Sequence, residues 1–535
     1  MNYKPSLKYL HFLFITILIL GGFFRFINLE KKVYWIDEVH TSLRVAGYKK
    51  TEFVDKSPVN KIINIADLQK FQRLSPEKDW GDTFKALAGN AEHTPLYYLL
   101  TRLGMRLFGS SPAVTRALAA LISLLVFPCI YWLCLELFKS PLVGWMAMAL
   151  IAVSPIHVLY AQEAREYSLL IVAILISSVS LLRAMRLNTN FSWGIYAVTV
   201  ALGLYSHMLS ALVFVAHGIY VFVITGCRLT SRFINYIVAL VVSFITLIPW
   251  IILYFINASA IGEWSSKKLS YATLFQRWLI NISSAFFDVQ IGYNDQLFDV
   301  ESGNDVVKLG YDNLLTYILF LFVILIIYAF YFIYKKTQIS VWLFVLTLIV
   351  FPTLILVLQD VIAGGQRSTI GRYLIPFYLG IELAVAYLLA TQLTSIKWQQ
   401  KLWKLLAIAV FSAGILSCVI SSQAETWWNK YSSYYNPQVA QIINQTNQPL
   451  VISSQKRVSR ITSLSYELEP KVRILLVDGN EIPNIINNFS NVFLFRPSAE
   501  LQSQLEKEQK IQIAHSLGQL WRLKKLSAFS SQQSV

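Results

Sequence analysis

Long apolar runs bounded by charges dominate this chain. They fall near residues 7–27, 113–137, 141–160, 167–186, 191–206, 209–227, 233–256, 313–334, 339–359, 372–394 and 402–421. A helix needs about 20 apolar residues to cross a bilayer, so the pattern predicts an all-α polytopic membrane protein with about eleven transmembrane helices. One further apolar stretch, Leu96–Phe108, is shorter and carries Arg102 and Arg106. Charge arbitrates its role. If it lies on the membrane surface, the predicted cytoplasmic segments hold Lys4 and Lys8, Lys139, Arg183 and Arg186, and Arg228 and Arg232. They also hold Lys335 and Lys336, and then Lys397, Lys401 and Lys404. Every one of those segments is then basic, as the positive-inside rule requires. If Leu96–Phe108 crossed, all the later loops would flip outside. The expectation is therefore an interfacial amphipathic helix with its arginines at the headgroups.

That orientation puts the N-terminus in the cytoplasm and three large segments outside: residues 28–95, residues 257–312, and the tail. The tail differs in pattern. Short β-like runs occur at Pro449–Ile452, Val472–Val477 and Asn491–Phe495, with a helical run at Pro437–Asn444 before the first. Strands alternating with helices predict a small extracytoplasmic α/β domain over 423–535, after a membrane domain over 1–422. No catalytic motif is visible in the tail, and a structural or docking role is expected for it.

Composition narrows the class. Hydrophobic residues make up 55% of the chain and charged ones 14%, and the mean hydropathy is +0.51; a soluble enzyme is excluded. The formal net charge of +16 sits in short loops and at helix ends, so it reads as topology and not as nucleic-acid binding. Cys129, Cys134, Cys227 and Cys418 lie in or beside apolar spans, a placement that predicts neither a disulfide framework nor a thiolate metal cluster. The first apolar run is longer than a signal-peptide core and lacks a small-residue cleavage site, so a retained anchor is expected.

The polar groups of interest converge on one membrane face. Tyr34-Trp35-Ile36-Asp37-Glu38 opens the first outside loop, and Glu92-His93-Thr94-Pro95 closes it. Gln162-Glu163-Ala164-Arg165-Glu166-Tyr167 forms a turn before a span; His207 occupies the next outside turn; Arg372-Tyr373 precedes the tenth span. Ionisable residues at the edge of a membrane are costly unless used. Asp37, with Glu38 beside it, suits a general base or an orienter of an acceptor. Arg165 and Arg372 suit a phosphate, because the guanidinium fork pairs with phosphate oxygens and stays charged near lipid. Glu92 and His93 fit donor hydrogen bonding or ligation of a divalent metal, and Glu163, Tyr167 and His207 complete the set of substrate or metal candidates. Plainer roles exist for each: a solvated acidic pair at 37–38, a helix cap at His93, a local Arg165–Glu163 pair, a polar helix end at His207, and headgroup anchors at Arg372 and Tyr373.

As a set, these motifs resemble the GT-C superfamily of polytopic glycosyltransferases. The branch they look like is bacterial glycosyltransferase family 39, akin to protein O-mannosyltransferases and the lipid A aminoarabinose transferase. The matching pieces are Tyr34–Glu38, Glu92-His93-Thr94-Pro95-Leu96-Tyr97-Tyr98, Ser154-Pro155 with Gln162–Tyr167, and Arg372-Tyr373-Leu374-Ile375-Pro376. The likeness runs from about residue 7 to 421. It implies that Asp37 is the catalytic aspartate of the first outside loop and that helices after that loop lie on the membrane surface. Thr94 departs from it, standing where the family usually has proline.

The resemblance implies transfer of a hexose or pentose from a polyprenyl-phosphate carrier to a lipid, polysaccharide or protein acceptor, at the outer face of the plasma (inner) membrane. A lipid-linked donor agrees with a site at the interface and with the lack of a nucleotide-binding glycine-rich loop. A lipid or glycan transporter is the alternative class. Its signature would be ionisable residues at mid-membrane and broken helices in paired halves.

Overall fold

The computed structural model describes residues 5–257, 268–290, 314–394, 399–478, 489–498, 501–503 and 511–525. The described residues form two units. One is built from those within 1–29, 87–297 and 304–424; the other from those within 30–86 and 425–535.

The first unit is helical, and all eleven apolar stretches are helices. Eight are long and apolar enough to cross a membrane: Tyr9–Phe26, Pro112–Phe138, Tyr167–Leu187, Ser231–Ile256, Leu314–Lys336, Ile339–Ala363, Gly371–Leu393 and the helical part of Gln399–Ser433. A ninth is the bent pair Pro141–Ala152 and Pro155–Ala161, with 62° between its halves. The remaining two, Asn190–Ser206 and Ser210–Ile224, have 17 and 15 residues. Large apolar side chains such as Phe12, Ile245, Leu321 and Leu405 are exposed on the helices, which is what a lipid-facing surface requires. Sequence sets the helix starts. Ser111 and Ser140 each accept a hydrogen bond from an early backbone amide, followed at once by Pro112 and Pro141; both are standard N-terminal signals.

The bent span needs its own account. Pro155 lacks an N–H and breaks the helix, leaving carbonyls without helical partners where unpaired backbone is costly. Arg25 donates to the carbonyls of Ala152 at 2.7 Å and Ile151 at 3.0 Å, and the Cys418 thiol lies 3.4 Å from that of Val153. Beyond the break, His157 Nε2 meets Glu382 Oε2 at 2.9 Å, both side chains buried. The first helix comes close because residue 21 is glycine; a Cβ there would lie 2.5 Å from the Ala152 oxygen. These ties fix the direction in which residues 155–166 leave the break.

Leu96–Phe108 forms a 13-residue helix ended by Gly109 at φ +92°. Tyr97, Tyr98, Thr101, Arg102 and Met105 are buried, whereas Leu103, Arg106, Leu107 and Phe108 are exposed. One face is therefore packed and the other open, with Leu103, Leu107 and Phe108 beside Arg106; Arg102 lies in the packed face and not at the surface.

The second unit is a six-stranded sheet with helices. Its strands are β1 (Ile62–Asn64), β2 (Pro449–Ser454), β3 (Arg473–Val477), β4 (Asn491–Phe495), β5 (Ile511–Leu517) and β6 (Leu520–Lys525), in the order β1-β3-β2-β4-β6-β5. β2 runs parallel to β3 and β4; the outer pairings are antiparallel. The parallel strands are buried on both faces, which explains their unbroken apolar runs. Leu43, Phe53, Phe71, Ile443, Ile461, Ile474 and Phe493 share one core, whereas Leu450, Ile452, Leu475 and Leu494 lie in the other. The segment between the first span and Leu96–Phe108 supplies β1 and part of that first core. Residues 30–86 thus fold with the tail, as one side of its sheet.

Candidate active site

The turn Gln162–Tyr167 is wholly buried. Gln162 ties it to the end of the first span, donating to the carbonyls of Phe24 at 2.8 Å and Ile27 at 2.9 Å. The Arg165 amide donates to the Glu163 carbonyl at 2.7 Å, which tightens the turn. Glu166 occupies the N-cap position of the helix Tyr167–Leu187 without a side-chain capping bond, where the positive end of the helix dipole favours a carboxylate.

Glu166 is the hub of a buried polar cluster. Its Oε1 receives Arg165 Nη2 at 3.1 Å and lies 3.3 Å from His93 Nδ1 and 3.9 Å from His207 Nε2. Its Oε2 accepts from the Tyr98 hydroxyl at 3.3 Å, and Arg165 Nη1 in turn donates to that hydroxyl at 3.3 Å. His93 Nε2 meets Glu92 at 3.3 Å, so His93 has a carboxylate on each ring nitrogen. His207 Nδ1 accepts from the Leu209 amide at 3.1 Å, an arrangement that leaves the neutral ring's proton on Nε2, toward Glu166. Tyr167 packs edge-on against Tyr160, with the Arg165 guanidinium carbon 5.6 Å from its ring centre. Glu163 is also fully buried in the turn.

Electrostatics follow from burial. Burial alone would raise the Glu166 carboxyl, but Arg165, His93 and His207 outweigh it and hold the group well below the ordinary range. Burial, with the charges of His93, Arg165 and Arg372, pushes His207 down to about 4 in spite of Glu166. The site thus keeps an anionic hub, a fixed guanidinium and a neutral imidazole.

Arg372 comes from a loop pinned by another helix. Asp360 accepts from the amides of Arg367 at 3.0 Å and Ser368 at 2.6 Å. From Tyr271–Ser283, Arg277 donates to Gln366 at 2.9 Å, Trp278 to Ser368 at 2.9 Å, and Asn281 to the Thr369 carbonyl at 2.9 Å. The loop turns at Gly364, φ +78°, a conformation glycine adopts without strain. Arg372 itself is buried, and its guanidinium carbon lies 5.5 Å from the ring centre of half-buried Tyr373.

Asp37 and Glu38 belong to the other unit, in the first turn of the helix Ile36–Val45. Asp37 is half-buried and Glu38 fully buried; only the first keeps access to solvent. Trp35 precedes them, buried, with Lys430 Nζ 5.2 Å from its ring centre and the Tyr431 ring centre 6.3 Å away, tilted by 34°.

The first unit therefore gathers Glu92, His93, Arg165, Tyr167 and His207 around Glu166, with Glu163 in the same turn. Glu166 and Tyr98 were absent from the candidate set, although both lie in quoted motifs. The available signal was position: an acid directly before an apolar span, between an arginine and a tyrosine. For metal binding, the described residues contain no group of three His, Cys, Asp or Glu side chains placed to hold an ion.

Residues 92–253 match the family model described as dolichyl-phosphate-mannose-protein mannosyltransferase. No curated protein matches the chain by sequence. Among solved structures, ArnT from Cupriavidus metallidurans bound to undecaprenyl phosphate is similar, with a TM-score of 0.51 and 11% identity over 98% of this chain and 99% of that one. The apo form of the same protein gives a TM-score of 0.51 and 9% identity, over 97% of this chain and 98% of that one. The archaeal oligosaccharyltransferase AglB from Archaeoglobus fulgidus, in complex with an inhibitory peptide and a dolichol-phosphate, gives a TM-score of 0.46 and 11% identity, over 97% and 74%. The fold is the multi-span GT-C architecture with a small mixed sheet. In fold the chain is similar to ArnT along nearly its whole length, and its match to the mannosyltransferase family model covers residues 92–253.

Proposed function

We propose that the protein moves a hexose or pentose from a polyprenyl-phosphate carrier to a lipid, polysaccharide or protein acceptor at the outer face of the plasma membrane. On this reading the N-terminus is cytoplasmic and the 423–535 segment extracytoplasmic. The observation that carries it is the buried Arg165–Glu166–His93 cluster at the start of a span. Fixed cationic groups at that depth suit an anionic headgroup whose tail stays in lipid.

In the reaction, an acceptor oxygen or nitrogen attacks the anomeric carbon as the bond to the carrier phosphate breaks. Asp37 takes the acceptor's proton. The leaving phosphate keeps the bonding electrons, and Arg165 and Arg372 offset its growing charge. Attack from the opposite side inverts the anomeric configuration. Tyr373 orients Arg372 by ring contact, Glu166 orients Arg165 and His93, and Glu92, Glu163, Tyr167 and His207 shape the donor pocket. Glu38, fully buried, supports its helix.

The test is mass spectrometry of envelope glycans and lipids from cells with and without the protein, then with Asp37→Asn. One sugar should vanish from one acceptor class without the protein and stay missing with the variant. An unchanged envelope sinks the reading. The bent span and its buried His157–Glu382 pair favour a second reading, carrier-lipid transport. Movement of fluorescent polyprenyl phosphate across vesicles holding purified protein, without sugar transfer, would favour it.

A further inference from the structure

We propose that Ser433 and Ser463 are positioning residues for Asp37, so that the tail takes part in setting the geometry of the base. This rests on the reading of Asp37 as base.

The helix Ile36–Val45 begins at Trp35, whose side chain makes no capping hydrogen bond. Its first amides need acceptors from elsewhere. The Ile36 amide finds one in Ser433 Oγ, 3.2 Å away and 397 positions along the chain. Ser433 Oγ lies 3.1 Å from Ser463 Oγ. Ser463 Oγ lies 2.7 Å from the Tyr34 carbonyl, to which it donates, and accepts from Asn436 Nδ2 at 3.0 Å.

Proton counting gives this network one direction. A serine hydroxyl has one proton. Ser463 gives its proton to the Tyr34 carbonyl, so the Ser433 hydroxyl donates to Ser463. Ser433 keeps a lone pair for the Ile36 amide. The chain runs Ile36 N–H to Ser433, Ser433 to Ser463, and Ser463 to Tyr34 C=O. It closes a loop around the backbone of Trp35, fixing it on both sides one step before Asp37.

All three polar residues from the tail are buried: Ser433 at 3%, Asn436 at 2% and Ser463 at 0% exposure. The core that joins residues 36–71 to the sheet is apolar, with Leu43, Phe53 and Phe71 in it. Cohesion is already supplied there. The serine chain is spent on the irregular segment 34–36, where the backbone angles of Trp35 and Ile36 set the direction in which Asp37 leaves the helix. Tyr431, whose ring lies tilted beside that of Trp35, has φ +44° and ψ −118°, a sparsely populated conformation held next to the same segment.

The test uses the full-length protein in nanodiscs. Hydrogen exchange is read over residues 33–42, turnover is read as sugar transfer from the lipid extract of the source cells, and undecaprenyl phosphate serves as the binding probe. Ser433→Ala and Ser463→Ala should speed exchange of that segment by about tenfold, the scale of one lost hydrogen bond. They should also lower kcat by about tenfold or more, as small misplacements of a catalytic group do, with carrier binding unchanged. Ser433→Thr keeps the hydroxyl and should restore both. Ser453→Ala, which removes a buried hydroxyl bonded to the Phe495 carbonyl in the sheet, should alter neither and controls for general loosening of the tail. Unchanged exchange in both alanine variants overturns the proposal. So does full turnover in them while Asp37→Asn is inactive, or an equal loss in Ser453→Ala. Near-normal turnover of Asp37→Asn overturns the reading of the base, and this proposal with it.

Discussion

Arg165 and Glu166 are neighbours in sequence, yet their side chains fold back on each other, Nη2 to Oε1 at 3.1 Å, with exposures of 5% and 2%. The tight turn and the buried Tyr98 hydroxyl close this geometry. The pair stands where the chain enters a span, so its charge balance bears on both stability and ligand.

A pH dependence follows. Glu166 is held below its ordinary range in the fold, so its contribution is complete above the unfolded value and is lost as pH falls through the folded one. His207, pushed down to about 4, has the same sign: folding keeps it neutral, and the penalty for charging grows as pH drops from about 6.5. Thermal stability in detergent should therefore fall between pH 6.5 and 4. His207→Gln should remove on the order of 3 kcal/mol of that fall. A melting curve of the variant that tracks wild type throughout that window would show His207 to be wetter than its burial implies.

Asp37→Asn should leave the protein folded and inserted and cut transfer roughly a hundredfold or more, the scale of a lost general base. Glu38→Gln should behave differently. Glu38 is fully buried, so its replacement should lower the melting temperature while the surviving folded fraction turns over normally. Equal loss of turnover per folded molecule in both variants would assign Glu38 a part in the chemistry.

Much of this was legible in the chain. Each of the eleven apolar runs is helical, because lipid-facing and packed helices are both continuously apolar, but only nine, the bent pair taken as one, are long and apolar enough to cross a membrane. The three parallel strands of the tail were legible for the same reason: burial on both faces leaves no polar alternation. β1 was not legible, since Ile62–Asn64 is only three residues long and acquires its register from β3, more than 400 residues on. β5 and β6 were missed because His515, Arg522 and other polar residues interrupt the pattern. In the site, residue types identified His93 and Arg165 but not the hub. Glu166 is defined by what surrounds it, and those neighbours come from positions 93, 98, 165 and 207.

His157 and Glu382 illustrate the same limit, each a single polar residue in an apolar run. Their contact ties the short helix Pro155–Ala161 to the span Gly371–Leu393. His157→Ala should destabilise by about 3–5 kcal/mol, because it strands a buried carboxylate. Replacing both residues with leucine should recover much of the loss, since apolar pairs of similar volume often match buried ion pairs. Denaturation of the two variants against wild type reads this directly; a milder His157→Ala would mean that Arg25 or water compensates Glu382.

The arginines separate donor binding from anchoring. If Arg165 and Arg372 hold the carrier phosphate, Arg→Ala at either position should weaken undecaprenyl phosphate binding and slow transfer. Arg→Lys should rescue only in part, because lysine keeps the charge and loses the fork. The two positions should also differ. The Arg165 fork is shared with Glu166 and Tyr98, so a phosphate must compete with a carboxylate there, and Glu166→Gln should tighten carrier binding in the wild-type background. The same change should do little in Arg165→Lys, where the fork is already gone. Headgroup anchoring predicts the opposite: lysine substitutes almost fully and Glu166→Gln leaves binding alone. Titrations of undecaprenyl phosphate against the four arginine variants, Glu166→Gln and the Glu166→Gln/Arg165→Lys double mutant decide it, and equal affinities throughout would place the phosphate on other groups.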